Sequence, residues 1–383
     1  MRSDGMPEQP ARPSVVMEHD EREEQTMTLE WHSPLAPPFH IAGFAWFDEE
    51  KLYRRLPRTP SHPIPPMVDQ LANHTAGGQI RFQTNSASLS VNVRLSGVAN
   101  MNHMPATGQC AFDCYIGGPG EQRYYGTTVY DRSKRDYEVQ VCENLDGRLR
   151  SITLYFPLYM GIEDVQIGLE PGADVLPPLP YASDRRILLY GTSITQGGCA
   201  SRPGMAYSNI VSRAINAELC NLGFSGSGKG EAAVAEVISG IANPGLLVLD
   251  YEANCDSSDS LRATLPEFIR IFRRRHPDVP IWIVSQIRFA KEHFQPELLA
   301  LRLDRQAIQR AVVDACRAGG DPNVFFCDGG ELLGEDYHDC TVDGIHPTDF
   351  GFQRMAERLA AVIRGSFLGP RGESSIPPRR RIE

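Results

Sequence analysis

Serine, aspartate and histidine occur in this chain in an order and spacing that suit nucleophilic acyl transfer. Ser193 follows the apolar run Ile187–Tyr190 and Gly191-Thr192, so a hydroxyl stands where a buried strand breaks. Far downstream, Val342-Asp343-Gly344-Ile345-His346-Pro347 carries a carboxylate three residues before an imidazole on one short loop. In that chemistry Ser193 Oγ attacks a carbonyl carbon, and His346 takes its proton and returns it to the leaving group. Asp343 fixes the imidazole tautomer and stabilises the imidazolium. The developing oxyanion needs donors aimed at it. The candidates are the Ser193 backbone N–H, a backbone N–H at Gly226 and the Asn254 side-chain amide. Glu252 is a rival for the acid, but the tight Asp-x-x-His spacing favours Asp343.

For these residues to meet, the fold must bring them to one rim. From Arg186 onward apolar strands (187–190, 219–222, 246–250, 281–286, 324–327) alternate with helical stretches (205–218, 231–239, 261–276, 296–318, 350–363). Continuous apolar strands suit a parallel sheet covered on both faces. Strand-then-helix repetition predicts a three-layer α/β/α domain. Sites in such sheets form at the carboxyl ends of the strands. Gly191–Ser193, Asn221–Gly228, Asp250–Asn254 and Ile287–Phe289 all follow strands.

The texture from His40 to Leu169 is different. Gln79–Gln83 and Leu89–Leu95 alternate polar with apolar, and short strand-like runs follow at 110–116, 123–129, 137–141, 151–156 and 164–167. That pattern predicts an all-β sandwich of jelly-roll type. Pro171–Pro180 reads as an irregular interdomain linker. The expected organisation is an acidic disordered tail (1–28), a β-sandwich domain (29–176), a catalytic domain (177–367) and a basic disordered tail (368–383).

Composition narrows the function classes. The chain has 383 residues, 41% hydrophobic and 22% charged, with a formal net charge of −10. Such a charge argues against nucleic acid or an anionic membrane as partner. No apolar run reaches the ~20 residues that span a bilayer. The polar N-terminus lacks a secretory h-region, so a cytoplasmic location is expected. The nine scattered cysteines predict reduced, buried thiols, with Cys110 and Cys114 on one face of a strand. No further Cys/His pairs sit at close spacing, so no metal site is expected.

Gly191-Thr192-Ser193-Ile194-Thr195, Gly226 within Asn-Leu-Gly-Phe-Ser-Gly, Asn254, and Asp343-x-x-His346-Pro resemble the four blocks of the SGNH (GDSL) hydrolases. The resemblance implies a flavodoxin-like fold, no metal, no cofactor, and the roles given above for Ser193, Gly226, Asn254, Asp343 and His346. Two positions depart from it. Thr192 stands where the pattern has Asp, and only Asn254 survives of the Gly-x-Asn-Asp block. Asn102–Gly108 with Ala111–Asp113 is similar to the β-sandwich domain that precedes some SGNH domains. Such a domain would bring a loop near His103 over the site, and a structural sheet-edge histidine is the competing reading. Arg288, at a strand end, is a candidate for an anionic substrate group or for a salt bridge.

The two-domain pattern is also similar to GDSL-type acyltransferases of tetracycline biosynthesis. That likeness would imply a small-molecule acyl donor, an aryl-CoA thioester, and a polyketide hydroxyl as acceptor. The alternative is an esterase acting on short O-acetyl esters of carbohydrates. Two further classes compete. Gly223–Gly230 mimics a Walker A loop, but Gly230 stands where Ser or Thr must hold Mg²⁺. A non-catalytic carbohydrate-binding protein would leave the Ser, His and Asp unexplained.

Overall fold

The computed structural model describes residues 28–369. The expected acidic and basic tails lie outside these residues, apart from their inner ends. The N-terminal part contains strands β1 (Glu30–His32), β2 (His40–Ala42), β3 (Gln79–Thr84), β4 (Leu89–Leu95), β5 (Asp113–Ile116), β6 (Arg123–Thr127), β7 (Asp136–Cys142), β8 (Arg150–Tyr155), β9 (Ile162–Leu169) and β10 (Val175–Leu176). Short helices α1 (Phe47–Glu50), α2 (Pro66–Leu71) and α3 (Ala106–Cys110) interrupt them. One antiparallel sheet runs β1-β9-β4-β7. The other runs β10-β3-β8-β5-β6, with β2 also on β3. In β4, Val91 and Val93 are buried while Asn92 and Arg94 face out, the alternation a half-solvated strand requires. Phe82, Val91, Phe112, Leu154 and Ile167 join the core between the two sheets.

Two expectations for this part need correcting. Cys110 is not in a strand with Cys114, because it closes α3 and the strand starts only at Asp113. The helical turn after Pro105 lies against the C-terminal part, where the Thr107 hydroxyl donates to the Ser201 carbonyl at 2.5 Å. The proline-rich linker is not wholly irregular either. Val175 and Leu176 pair with Thr84 and Gln83, and the Pro177 carbonyl accepts from the Gln83 amide. The nine cysteines are free thiols, all but Cys316 buried.

The C-terminal part alternates β11 (Arg186–Gly191), α4 (Ser193–Gln196), α5 (Tyr207–Ile215), β12 (Leu219–Gly223), α6 (Ala232–Ile238), β13 (Pro244–Asp250), α7 (Ser258–Arg273), β14 (Ile281–Val284), α8 (Pro296–Ala318), β15 (Val324–Cys327) and α9 (Asp349–Leu368). All five strands are parallel, in the order β12-β11-β13-β14-β15. Successive strand residues feed opposite layers. Ile187, Leu189 and Val248 pack with α5 and α9, whereas Leu188, Tyr190 and Leu249 pack with α6, α7 and α8. This is the three-layer α/β/α architecture with a sandwich preceding it. Strand order reverses at β11, which pairs on one side with β12 and on the other with β13. A doubly wound sheet binds its ligands at the carboxyl end of such a switch point.

The two parts share packing. Leu56, Val68 and Leu71 join one core of the parallel sheet, and Met104, Leu158 and Tyr159 join the other. Arg55, 1% exposed, is one buried polar link between them. Its guanidinium donates to the carbonyls of His74 at 2.7 Å, Leu71 at 2.6 Å and Gly223, and it lies 4.7 Å over the Phe224 ring. Among the described residues, no helix is long and apolar enough to cross a membrane. Arg55→Met keeps bulk but strands buried carbonyls, which should cost on the order of 3 kcal/mol. We expect a lower urea midpoint at unchanged slope, and an unchanged midpoint would remove Arg55 from this role.

Candidate active site

The nucleophile turn is built from backbone constraints. Gly191 ends β11 in register with Gly223 of β12 and Asp250 of β13. No side chain fits there, since a Cβ would run into Thr195 and the Asp250 carbonyl. Thr192 caps the helix that follows, its hydroxyl accepting from Ile194 N at 3.2 Å while Thr195 Oγ1 accepts from Thr192 N at 3.1 Å. A threonine thus serves as cap where the hydrolase pattern has aspartate. Ser193 is the first helical residue, so its N–H has no intrahelical acceptor. Four residues later the helix stops at Gly197, whose φ of +108° suits glycine.

Ser193 Oγ lies 2.8 Å from His346 Nε2, and His346 Nδ1 lies 2.7 Å from Asp343 Oδ2. The second carboxylate oxygen of Asp343 accepts from the backbone N–H of His346 at 2.8 Å and of Ile345 at 3.0 Å. Val342 N donates to the His346 carbonyl at 2.8 Å, closing the loop. Burial alone would raise the Asp343 carboxyl, but these hydrogen bonds and the His346 ring together hold it below the ordinary range. The Asp343 carboxylate is therefore favoured beside the His346 ring. The pair remains open to water, with side chains 17% exposed for His346 and 33% for Asp343.

Gly226 sits in the turn after β12 with φ +63°, in open space where a Cβ would meet nothing within 4 Å. The Phe224 carbonyl accepts from Ser227 N and Gly228 N, each at 3.0 Å, and from Asn254 Nδ2 at 3.1 Å. That carbonyl ties the Asn254 amide to the glycine turn. The Asn254 amide retains a second N–H. Ser193, Gly226 and Asn254 thus come from the ends of three adjacent strands, as the sequence spacing anticipates.

Two residues near the site, Gln196 and Tyr159, carry no sequence signal. Gln196 Oε1 accepts from Ser225 N at 3.1 Å, and its Nε2 donates to the Leu158 carbonyl at 3.1 Å, bridging the glycine turn to the sandwich. The Tyr159 hydroxyl donates to the Ser193 carbonyl at 3.1 Å. His103 is exposed, its ring 6.0 Å from that of His346. Among the described residues, Arg288 points its guanidinium at Glu331, at 2.7 Å, and so serves a salt bridge. Glu252 is buried and accepts from Gln286 N at 2.9 Å, where burial pushes it up to about 7. Cys199 and Cys255 are no rivals as nucleophiles, since burial pushes both thiols up to about 12. In the loop resembling a phosphate cradle, Gly228 packs on the Gly191 carbonyl and Lys229 pairs with Asp256 at 2.6 Å.

Residues 184–364 match the GDSL-like lipase/acylhydrolase family, and residues 29–175 match a family described as the N-terminus of Esterase_SGNH_hydro-type. No curated protein sequence matches the chain. Among solved structures, a protein of Bacteroides ovatus assigned as a GDSL-like lipase is 28% identical, with a TM-score of 0.80 over 88% of this chain and 98% of that one. The salicylyl-acyltransferase SsfX3 from a tetracycline biosynthetic pathway is 22% identical, with a TM-score of 0.71 over 90% and 98%. A family two carbohydrate esterase from Clostridium thermocellum is 17% identical, with a TM-score of 0.54 over 76% and 92%. The latter two likenesses concern the fold.

Two outcomes are expected from this geometry. Asn254→Ala should lower kcat for p-nitrophenyl acetate by about 10²–10³ with KM little changed, and an unaffected kcat would exclude the amide from the site. Asp250, partly buried at the carboxyl end of β13, has its carboxyl pushed up to about 7 by loss of solvation, against hydrogen bonds from Tyr207 and Thr195. A raised folded pKa means that the native state binds more protons than the unfolded chain. Its contribution to stability should therefore fall as pH rises from about 4 to 7. In urea titrations Asp250→Asn should flatten that slope, and an unchanged slope would contradict it.

Proposed function

Because residues 184–364 match the GDSL-like lipase/acylhydrolase family, we propose that the chain cleaves ester or thioester bonds through an acyl-Ser193 intermediate. The observation that carries this reading is the line from Ser193 Oγ through both nitrogens of His346 to Asp343, at 2.8 and 2.7 Å. As Oγ attacks the carbonyl carbon, its proton passes to His346 Nε2 and negative charge collects on the carbonyl oxygen. The N–H groups of Ser193, Gly226 and Asn254 are the donors for that oxyanion. Collapse breaks the bond to the leaving group, which takes the proton from Nε2. In the second half an acceptor hydroxyl gives its proton to His346 and attacks the acyl carbon, and as the bond to Ser193 Oγ breaks, His346 returns that proton to Oγ.

Water is the acceptor best supported. The base and its carboxylate are partly open to solvent, and transfer to an alcohol over water depends on excluding water and positioning the alcohol. The reading is an esterase of short acyl groups on small hydroxylated molecules. A second reading, transfer from an acyl-CoA thioester to an alcohol of a small natural product, is favoured by a different observation. The likeness to the salicylyl-acyltransferase runs through both domains, and the sandwich presents exposed His103 beside the base.

The partition of the acyl-enzyme separates the two. With p-nitrophenyl acetate and rising concentrations of a primary alcohol, hydrolysis predicts ester product in simple proportion to alcohol concentration. Transfer predicts saturable ester formation far above that proportion. An absence of turnover from both ester and acyl-CoA donors would overturn both readings.

A further inference from the structure

One cluster beside the nucleophile has a composition that acyl transfer does not call for. His103, Cys199, Asp343 and His346 each offer one ligating atom, and the four atoms lie within 4.8 Å of one another. They come from three separate places: the loop between β4 and α3 of the sandwich, the turn after α4, and the Asp-x-x-His loop. Cys199 is buried in that turn with φ +72°, and its thiol lies 3.5 Å from the His103 carbonyl. The thiol has no step to perform in the reaction above.

We propose that this cluster binds a single Zn²⁺ ion and that the ion shuts the site. Two imidazoles, a thiolate and a carboxylate form a mixed N, S and O set that zinc accepts, whereas Mg²⁺ and Ca²⁺ favour oxygen alone. Tetrahedral zinc with bonds of about 2.0–2.3 Å holds its ligand atoms roughly 3.3–3.8 Å apart. The four atoms must therefore close in by about 1 Å, within reach of rotations of the exposed His103 and Asp343 side chains. On binding, the Cys199 thiol loses its proton to solvent and a Zn–S bond forms. Because zinc takes the thiolate and releases the proton, its affinity rises with pH.

The inhibitory half of the proposal rests on the acyl-transfer reading, and the binding half does not. If His346 offers Nδ1 to the metal, it gives up Asp343 and its Nε2 must carry the proton, so it cannot act as base. If it offers Nε2, the bond to Ser193 is lost. Either way, metal and catalysis exclude each other. The ion is a reversible switch in this scheme and takes no part in turnover.

The full-length protein tests this with Zn²⁺ alone as the probe. In competition with a chromogenic chelator, one Zn²⁺ per chain is expected, and Ser193→Ala should bind it equally well. Co²⁺ in place of zinc should show a thiolate charge-transfer band, absent in Cys199→Ala. Cys199→Ala, with its thermal midpoint checked, should turn over p-nitrophenyl acetate like wild type in EDTA. Its zinc affinity should fall by more than the ~10–100-fold typical of outer-shell changes. His103→Ala should weaken zinc as well. Zinc uptake unaltered by both substitutions, or no uptake at submillimolar zinc, would overturn the site. If Ser193→Ala binds zinc as expected while wild type turns over no ester, the zinc site stands and the acyl-transfer reading fails.

Discussion

The site depends on one backbone constraint: β11 must end at a residue without a side chain. Gly191 is wedged between Thr195 and the Asp250 carbonyl, and only that fit lets the chain turn at once into α4 with Ser193 as its first residue. The position combines two properties. Its N–H is unsatisfied because a helix begins there, and its side chain stands at the carboxyl rim of the sheet where strand order reverses. Thr192, capping the helix, and Thr195, bonded back to Thr192 N and to Asp250, hold the turn in place. The other groups are arranged around a serine already fixed in position.

Around this turn the N-terminal sandwich is part of the site's framework. Arg55 and Gln196 both hold the Gly223–Ser225 segment, one through the Gly223 carbonyl and the other through Ser225 N. Tyr159 anchors the Ser193 carbonyl, and the His103 loop stands beside the base. Phe224, in the turn that carries Gly226, packs in the same core as Leu56, Val68 and Leu71 from the N-terminal part. A change at the interface will therefore be felt in the geometry of Gly226 and Asn254.

Much of this was legible in the sequence, for a physical reason. Strands buried on both faces, such as 187–190 and 324–327, read as continuous apolar runs, and the helices between them have the apolar period that packing demands. The loops at their ends then inherit a common rim from topology alone, which gathers Ser193, Gly226, Asn254, Asp343 and His346. What stayed hidden depends on contacts distant in sequence. Cys110 sits in a run that looks like a strand, yet it closes α3, whose Thr107 bonds to Ser201 in the C-terminal part. Arg55, Tyr159 and Gln196 belong to no motif, and their roles arise only once two domains meet. Arg288 occupies a promising strand end, but Glu331, on a loop after the next strand, takes its charge.

The central claim is that the acyl group passes through Ser193. It is tested most directly by acid-quenching the protein during turnover of p-nitrophenyl acetate and mapping the acyl adduct by peptide mass spectrometry. The account predicts one acetyl group, on the Ser193 side chain, appearing at a rate competent for turnover and absent from His346→Ala. Full turnover with no adduct at Ser193, or an adduct formed as fast on another residue, would contradict it.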